Sequence, residues 1–307
     1  MAPMVRGAIV ALVVLSAAWL PAQGSFKAPR TPWGDPDLQG VWPSAPLVDV
    51  PFERPASFGT RSELTDDEFA QAQRRAMSDT SPAISQPPHW LERGRASRQA
   101  SLVVDPPDGR LPPMTPDGTR RAERWRATSS DTYRYERPED FTLYDRCITR
   151  GVLGSMFPNI YNTGTEILQA PGFVVIRHEM IHETRVVPVG GRPHLPTAIR
   201  SYMGDSRGRW DGDTLVVATT NFNGGTGSYG RNGNGNPTTT ALQLVERFTL
   251  ADVNTLRYEV TVTDPRTWTR PWTARFPLVR DSGYAMFEYA CHEGNYALAN
   301  MLRSARR

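Results

Sequence analysis

Long apolar runs are missing from this 307-residue chain everywhere except near its start. Beyond Leu20 no stretch of about 18 apolar residues occurs, which excludes a helical membrane span there and predicts a soluble mature protein. No cysteine follows the first apolar run, which excludes lipid attachment at that point. No basic stripe occurs either: the pI is near 9.0, but Arg alternates with Asp and Glu, so a solvated mixed surface is expected rather than a nucleic-acid face. Gly204 to Gly212 lacks the G-K-[ST] ending of a phosphate loop and leads into β-prone residues, so it reads as a turn. The Gly/Asn-rich run Asn223 to Asn236 lacks carboxylates, which excludes a calcium loop and leaves a mobile loop at the mouth of the fold. No serine stands in a G-x-S-x-G elbow, so a Ser-His-Asp triad has no local support.

Arg6, the uncharged run Gly7 to Leu20 and the small-residue segment Pro21-Ala22-Gln23-Gly24 have the layout of a secretory signal peptide, residues 1–24. A periplasmic or secreted protein of about 280 residues is expected after cleavage, enough for one large domain or two small ones. An oxidising compartment makes a bridge between the only two cysteines, Cys147 and Cys291, plausible. It would close a long loop and contribute on the order of 4 kcal/mol in the chain-entropy picture.

Two regions follow. Residues 25–140 are rich in Pro, Arg, Ser and Asp and read as an irregular segment wrapped on a core supplied elsewhere. Its exceptions are Asp37 to Trp42, which can open a strand, and Leu64 to Phe69, where a Thr cap and acids precede one short helix running to about Met77. Residues 141–307 carry runs of β-branched and aromatic residues divided by turn residues. Strands are expected at Glu166 to Gln169, Phe173 to Met180, Glu183 to Val189, Asp213 to Phe222, Leu242 to Leu250, Thr255 to Thr263, Trp272 to Val279 and Tyr284 to Cys291. Consecutive short strands without helical crossovers point to an antiparallel barrel or sandwich. Tyr296, Leu298, Met301 and Leu302 are spaced for a C-terminal helix.

Five stretches carry a resemblance: Trp33 to Leu38, Gly204 to Leu215, Leu244 to Phe248, Arg270 to Thr273 and Ala290 to Asn295. Together they resemble an uncharacterised family of exported bacterial proteins, over most of the mature chain. In architecture, Gly40-Val41-Trp42 opening a first strand, followed by an antiparallel run and a C-terminal helix, is similar to lipocalin-like (calycin) barrels, in which such a Trp closes one end. The resemblance implies a mainly β fold: an antiparallel lipocalin-like barrel with a long irregular N-terminal segment and a C-terminal helix. Pro43 to Pro138 departs from that pattern by separating the opening strand from the rest.

His178-Glu179-Met180-Ile181-His182 satisfies the H-E-x-x-H pattern of zinc hydrolases, whose chemistry needs a helix so that both His reach one metal with the Glu as base. Its neighbours are β-prone, and on a strand the two His stand about 13 Å apart, so surface or hairpin histidines are preferred and no metal or other cofactor is implied. Polar residues on apolar faces carry more weight. Glu246 interrupts the face made by Leu242, Leu244, Phe248 and Leu250, and Glu288 shares a face with Tyr284, Met286 and Ala290. A carboxylate there must be paired, hydrated or facing a ligand. The preferred reading is an exported small-molecule-binding β-barrel, with Tyr161, Arg270, Trp272 and Tyr284 as contacts to a small organic ligand. Its rivals are a lyase, isomerase or hydratase using His182, His292, Glu246 and Glu288 as acid and base groups, and a zinc-dependent hydrolase.

Overall fold

The computed structural model describes residues 26–44, 47, 50–77, 96–127, 135–159, 161–227 and 236–305. The expected signal peptide, and residues 228–235 of the expected mobile loop, lie outside them.

Ten strands are present among the described residues: β1 (Gly40–Val41), β2 (Val103–Asp105), β3 (Thr165–Ala170), β4 (Phe173–His178), β5 (Thr184–Pro188), β6 (Asp205–Asp211), β7 (Thr214–Thr220), β8 (Gln243–Asp252), β9 (Thr255–Thr263) and β10 (Trp272–Val279). The helices are α1 (Asp66–Met77), α2 (Pro116–Ala127), α3 (Gly151–Met156) and α4 (Ala297–Ala305). All ladders within the sheets are antiparallel and mostly link sequence neighbours, because short turns such as Pro171-Gly172 and Gly212-Asp213 reverse the chain. The ladders do not close into a barrel. They form two sheets, β1-β3-β4-β5 and β2-β10-β9-β8-β7-β6.

Period-2 alternation sets which faces meet. In β8, Leu244, Glu246, Phe248 and Leu250 are buried while Gln243 and Val245 are exposed, and β9 and β10 alternate the same way. Their inner faces join Ile167, Val174, Ile176 and Val187 of the smaller sheet in one core. Trp42, Trp268, Trp272, Tyr258, Phe248 and Phe276 fill the space between the sheets, each such ring removing 150–250 Å² from water.

Two contacts tie the sheets at their margins. Beyond β5 and within β6, Val189 and Gly208 make an isolated parallel bridge. On the other side Arg280, just past β10, lies 4.3 Å over the Trp42 ring and donates to the Gln39 carbonyl at 2.9 Å. The Gly40-Val41-Trp42 strand thus has its Trp buried and covered by a cation from the far end of the β region.

The N-terminal region is more ordered than its composition suggests. Helix α1 is capped as the Thr65-x-x-Glu68 pattern predicts: Glu68 N–H donates to Thr65 Oγ1 at 3.3 Å and Thr65 N–H to Glu68 Oε2 at 2.8 Å. Residues Val103–Asp105 join β10 as an edge strand, and α2 docks where Gly118 lets backbone meet backbone, since a Cβ there would stand 2.4 Å from the Thr267 carbonyl oxygen. At the other end the structure corrects an expectation. Tyr284 to Cys291 is not a strand. It leaves β10 at Arg280 and runs as an irregular strap, held by side chains instead of a ladder, into α4. The helix itself is as expected, and its surroundings are open: Phe287 and Tyr296 are each 74% exposed. Among the described residues no helix is long and apolar enough to cross a membrane.

Candidate functional site

The H-E-x-x-H segment is neither one helix nor one strand. His178 ends β4 opposite Thr165 of β3, and Met180–His182 then forms a short 3-10 turn before β5. Ile181 and His182 take φ of 61° and 46°, a left-handed conformation that a β-branched residue rarely adopts. Cys147 (φ 56°) and Asn162 (φ 49°) are bent the same way in the segments packed around this turn. Of five such non-glycine residues in the described chain, four gather here, the pattern expected where surrounding contacts enforce a site.

The turn sends its polar groups in different directions. His178 is 2% exposed, its Nδ1 3.1 Å from Thr165 Oγ1 and its Nε2 without a partner. Burial, with the nearby Arg185 and Arg150 charges, pushes the imidazole down to about 3, so it is neutral at ordinary pH. His182 is exposed, its Nδ1 2.9 Å from the Tyr289 carbonyl oxygen. Glu179, buried between them, accepts from Tyr284 Oη at 2.7 Å, Asn162 Nδ2 at 2.9 Å and the Phe287 N–H at 3.1 Å. The carboxylate that a zinc hydrolase would use as base is here the clasp that fastens the strap. No group of three or more His, Cys, Asp or Glu among the described residues is placed to hold a metal ion.

The bridge between Cys147 and Cys291 is formed, with the Cα atoms 5.7 Å apart, and it pins the strap beside the loop that precedes α3. In that loop Asp145 is held by Thr142, whose hydroxyl donates to it at 2.7 Å. Tyr144 lies at the centre of a chain of hydroxyls, 2.9 Å from Tyr161 Oη and 3.0 Å from Tyr289 Oη. Burial first, then these neighbours, raise the Tyr144 phenol well above its ordinary range, and burial raises Tyr289 too. Arg150 sits 5.6 Å over the Tyr144 ring and is 4% exposed. Its Nη1 meets only the Met180 sulfur, at 2.9 Å, and its Nε has no partner. Glu183 is an acid whose charge reaches Arg150, yet it accepts from Thr149, Ser155 and the Arg150 backbone N–H rather than from the guanidinium. Burial pushes the Arg150 group down and the Glu183 carboxyl up, the mark of charges taken from water without full compensation.

Between this loop and the strap lies a cavity of about 500 Å³. Tyr144, Asp145, Glu288 and Tyr289 line it on the polar side, and Leu298 and Met301 of α4 on the apolar side.

The expected site residues do not converge. Glu288 lines the cavity, Tyr161 and Tyr284 belong to the hydroxyl and Glu179 networks behind it, and His182 borders it through Tyr289. His292 is exposed on the turn after Cys291 and is not part of the lining. Arg270 is on the surface, 3.5 Å from Asp105. Trp272 is a core residue, edge-on to Trp268 at 5.6 Å. Glu246 is fully buried, but its partner comes from the other sheet: Arg185 Nη1 and Nη2 donate to it at 2.7 and 2.9 Å, and Tyr258 Oη at 3.1 Å. Burial alone would lower the Arg185 guanidinium, and the Glu246 charge outweighs it and raises it. That fork locks Glu246 between the sheets. Arg150, Tyr144 and Tyr289, absent from the expected set, are the groups with unspent capacity. The only sequence signal for them is adjacency to the two cysteines.

Comparison of the chain with family profiles, curated proteins and solved structures returns no match.

Proposed function

We propose that this is an exported protein that binds a small organic molecule, and that the ligand occupies the cavity between the Tyr144–Cys147 loop and the C-terminal strap. The observation that carries the reading is the contrast between a filled interior and an open, polar-and-apolar cavity of about 500 Å³ beside a buried arginine that lacks a carboxylate partner. Ligand in the central core, as expected of a lipocalin-type interior, would compete with Trp42, Trp268, Trp272 and Phe276 for the same space. A flattened, barrel-like relation of the two sheets remains part of the proposal, supported by the Val189–Gly208 bridge on one side and the Arg280–Trp42 stack on the other. Export is supported by the leader-like start of the sequence and is compatible with the disulfide.

Binding is preferred to acid–base catalysis because no His or Lys lines the cavity to act as an acid–base pair with Asp145 and Glu288, and the other titratable groups around it are engaged. The tyrosine hydroxyls are held protonated, and Glu246 and Glu179 are locked in hydrogen bonds away from the cavity. Ligand-observed NMR with a fragment library, compared between the native protein and Ala297→Trp, tests the site. Hits that are lost when the indole fills the cavity are expected. Hits that persist unchanged in the variant, or no hits at all, would refute it.

A further inference from the structure

Resting on that cavity as the binding site, we infer that its ligand is a zwitterion of amino-acid size, an ammonium and a carboxylate on one small apolar frame. The acceptor pole is Asp145 and Glu288. Neither forms an ion pair among the described residues, and no Lys, Arg or His lines the cavity to neutralise them. A ligand that donates hydrogen bonds and carries positive charge fits there, and the adjoining Tyr rings accept a cation on their faces.

The donor pole is the hydroxyl chain. Tyr161, Tyr144 and Tyr289 carry three O–H protons, and the two bonds among them use two. One proton is left to donate outward from a chain whose members Tyr144 and Tyr289 reach the cavity. Arg150 stands behind the Tyr144 ring, buried and without a carboxylate on its guanidinium. Its field attracts the hydroxyl lone pairs and turns the surplus O–H away from itself, toward an oxyanion whose charge would in turn offset the arginine. A simple amine would leave Arg150 uncompensated, and a simple carboxylate would face Asp145 and Glu288. A molecule bearing both groups satisfies both poles, while Ala297, Leu298 and Met301 take its apolar part.

Isothermal titration of the disulfide-intact protein with four probes that share a phenyl ring decides the matter: L-phenylalanine, 2-phenylethylamine, 3-phenylpropanoate and 2-phenylethanol. Phenylalanine is expected to bind at least about tenfold more tightly than either singly charged probe. Glu288→Gln should weaken phenylalanine and phenylethylamine by about tenfold and leave phenylpropanoate as tight or tighter, since a repelling charge is removed, and Tyr144→Phe with Tyr289→Phe, which removes both hydroxyls that reach the cavity, should weaken phenylalanine and phenylpropanoate instead. Equal affinity for phenylalanine and any one of the other three probes, with all binding blocked by Ala297→Trp, overturns the zwitterion while the cavity stands as the site. Absence of binding by all four probes, or binding that ignores Ala297→Trp, overturns the cavity reading and the zwitterion with it.

Discussion

Glu246 and Arg185 illustrate how a polar residue on an apolar face should be read. Alternation in β8 turns Glu246 inward, while Arg247 beside it in sequence pairs with Asp211 and Arg275, two strands away on β10, pairs with Glu259. The partner lies across the core. A bidentate pair this deep contributes little net stability, but removing one member strands the other in an apolar interior. Glu246→Leu should therefore lower unfolding free energy by about 3–5 kcal/mol, and the double change Glu246→Leu with Arg185→Met should recover most of it. Urea denaturation of the three proteins measures this. A single variant as stable as the native protein would mean that water or another anion reaches Arg185.

At the scale of elements, the C-terminal strap is held to the rest of the molecule by a few discrete ties: the disulfide, the Glu179 clasp on Tyr284 and Phe287, the His182 contact and the Tyr144–Tyr289 bond. It adds no ladder to either sheet and leaves Phe287, Tyr296 and Met301 largely exposed. An element fastened in this way opens more easily than the sheets. Cys291→Ser should raise amide hydrogen exchange across 281–305 by at least about tenfold, while β7 to β10 keep their protection. Hydrogen exchange read by mass spectrometry checks this, and a loss of protection spread evenly over the sheets would show that the bridge serves the whole fold instead of the strap. The break between the expected strands Phe173 to Met180 and Glu183 to Val189 allowed a reversal near His182, but the sequence placed Glu179 inside the first strand and gave no sign that it anchors the turn. Side chains of Asn162 and Tyr284, far apart in sequence, hold the turn by meeting Glu179.

At the scale of the molecule, both sheets share one core, so they should melt together. The Arg280 cover on Trp42 joins the opening strand to the end of β10, and Arg280→Ala removes a stacked cation and a hydrogen bond to Gln39. A loss of about 1–3 kcal/mol is expected, with tryptophan fluorescence and far-ultraviolet dichroism shifting to one common lower midpoint. Separate midpoints would show that the two sheets are independent units.

Alternation, turn residues and the Thr65-x-x-Glu68 cap determined the mainly β class, most strand positions, helix α1 and the inward face of Glu246, because these depend on periodicity and hydrogen bonds within a few residues. The disulfide could be expected from two cysteines behind a leader-like start, though only the fold brings Cys147 and Cys291 together. Only the tertiary structure decided that Arg185 is the partner of Glu246, that Val103–Asp105 is a strand and Tyr284 to Cys291 is not, and that Tyr144, Tyr289 and Arg150 meet beside a cavity. The physical reason is the same in each case. A strand exists only where a neighbouring edge offers a ladder, and a buried charge or hydroxyl takes its role from groups brought to it by the fold, across 61 residues for Arg185 and Glu246 and 145 for Tyr144 and Tyr289.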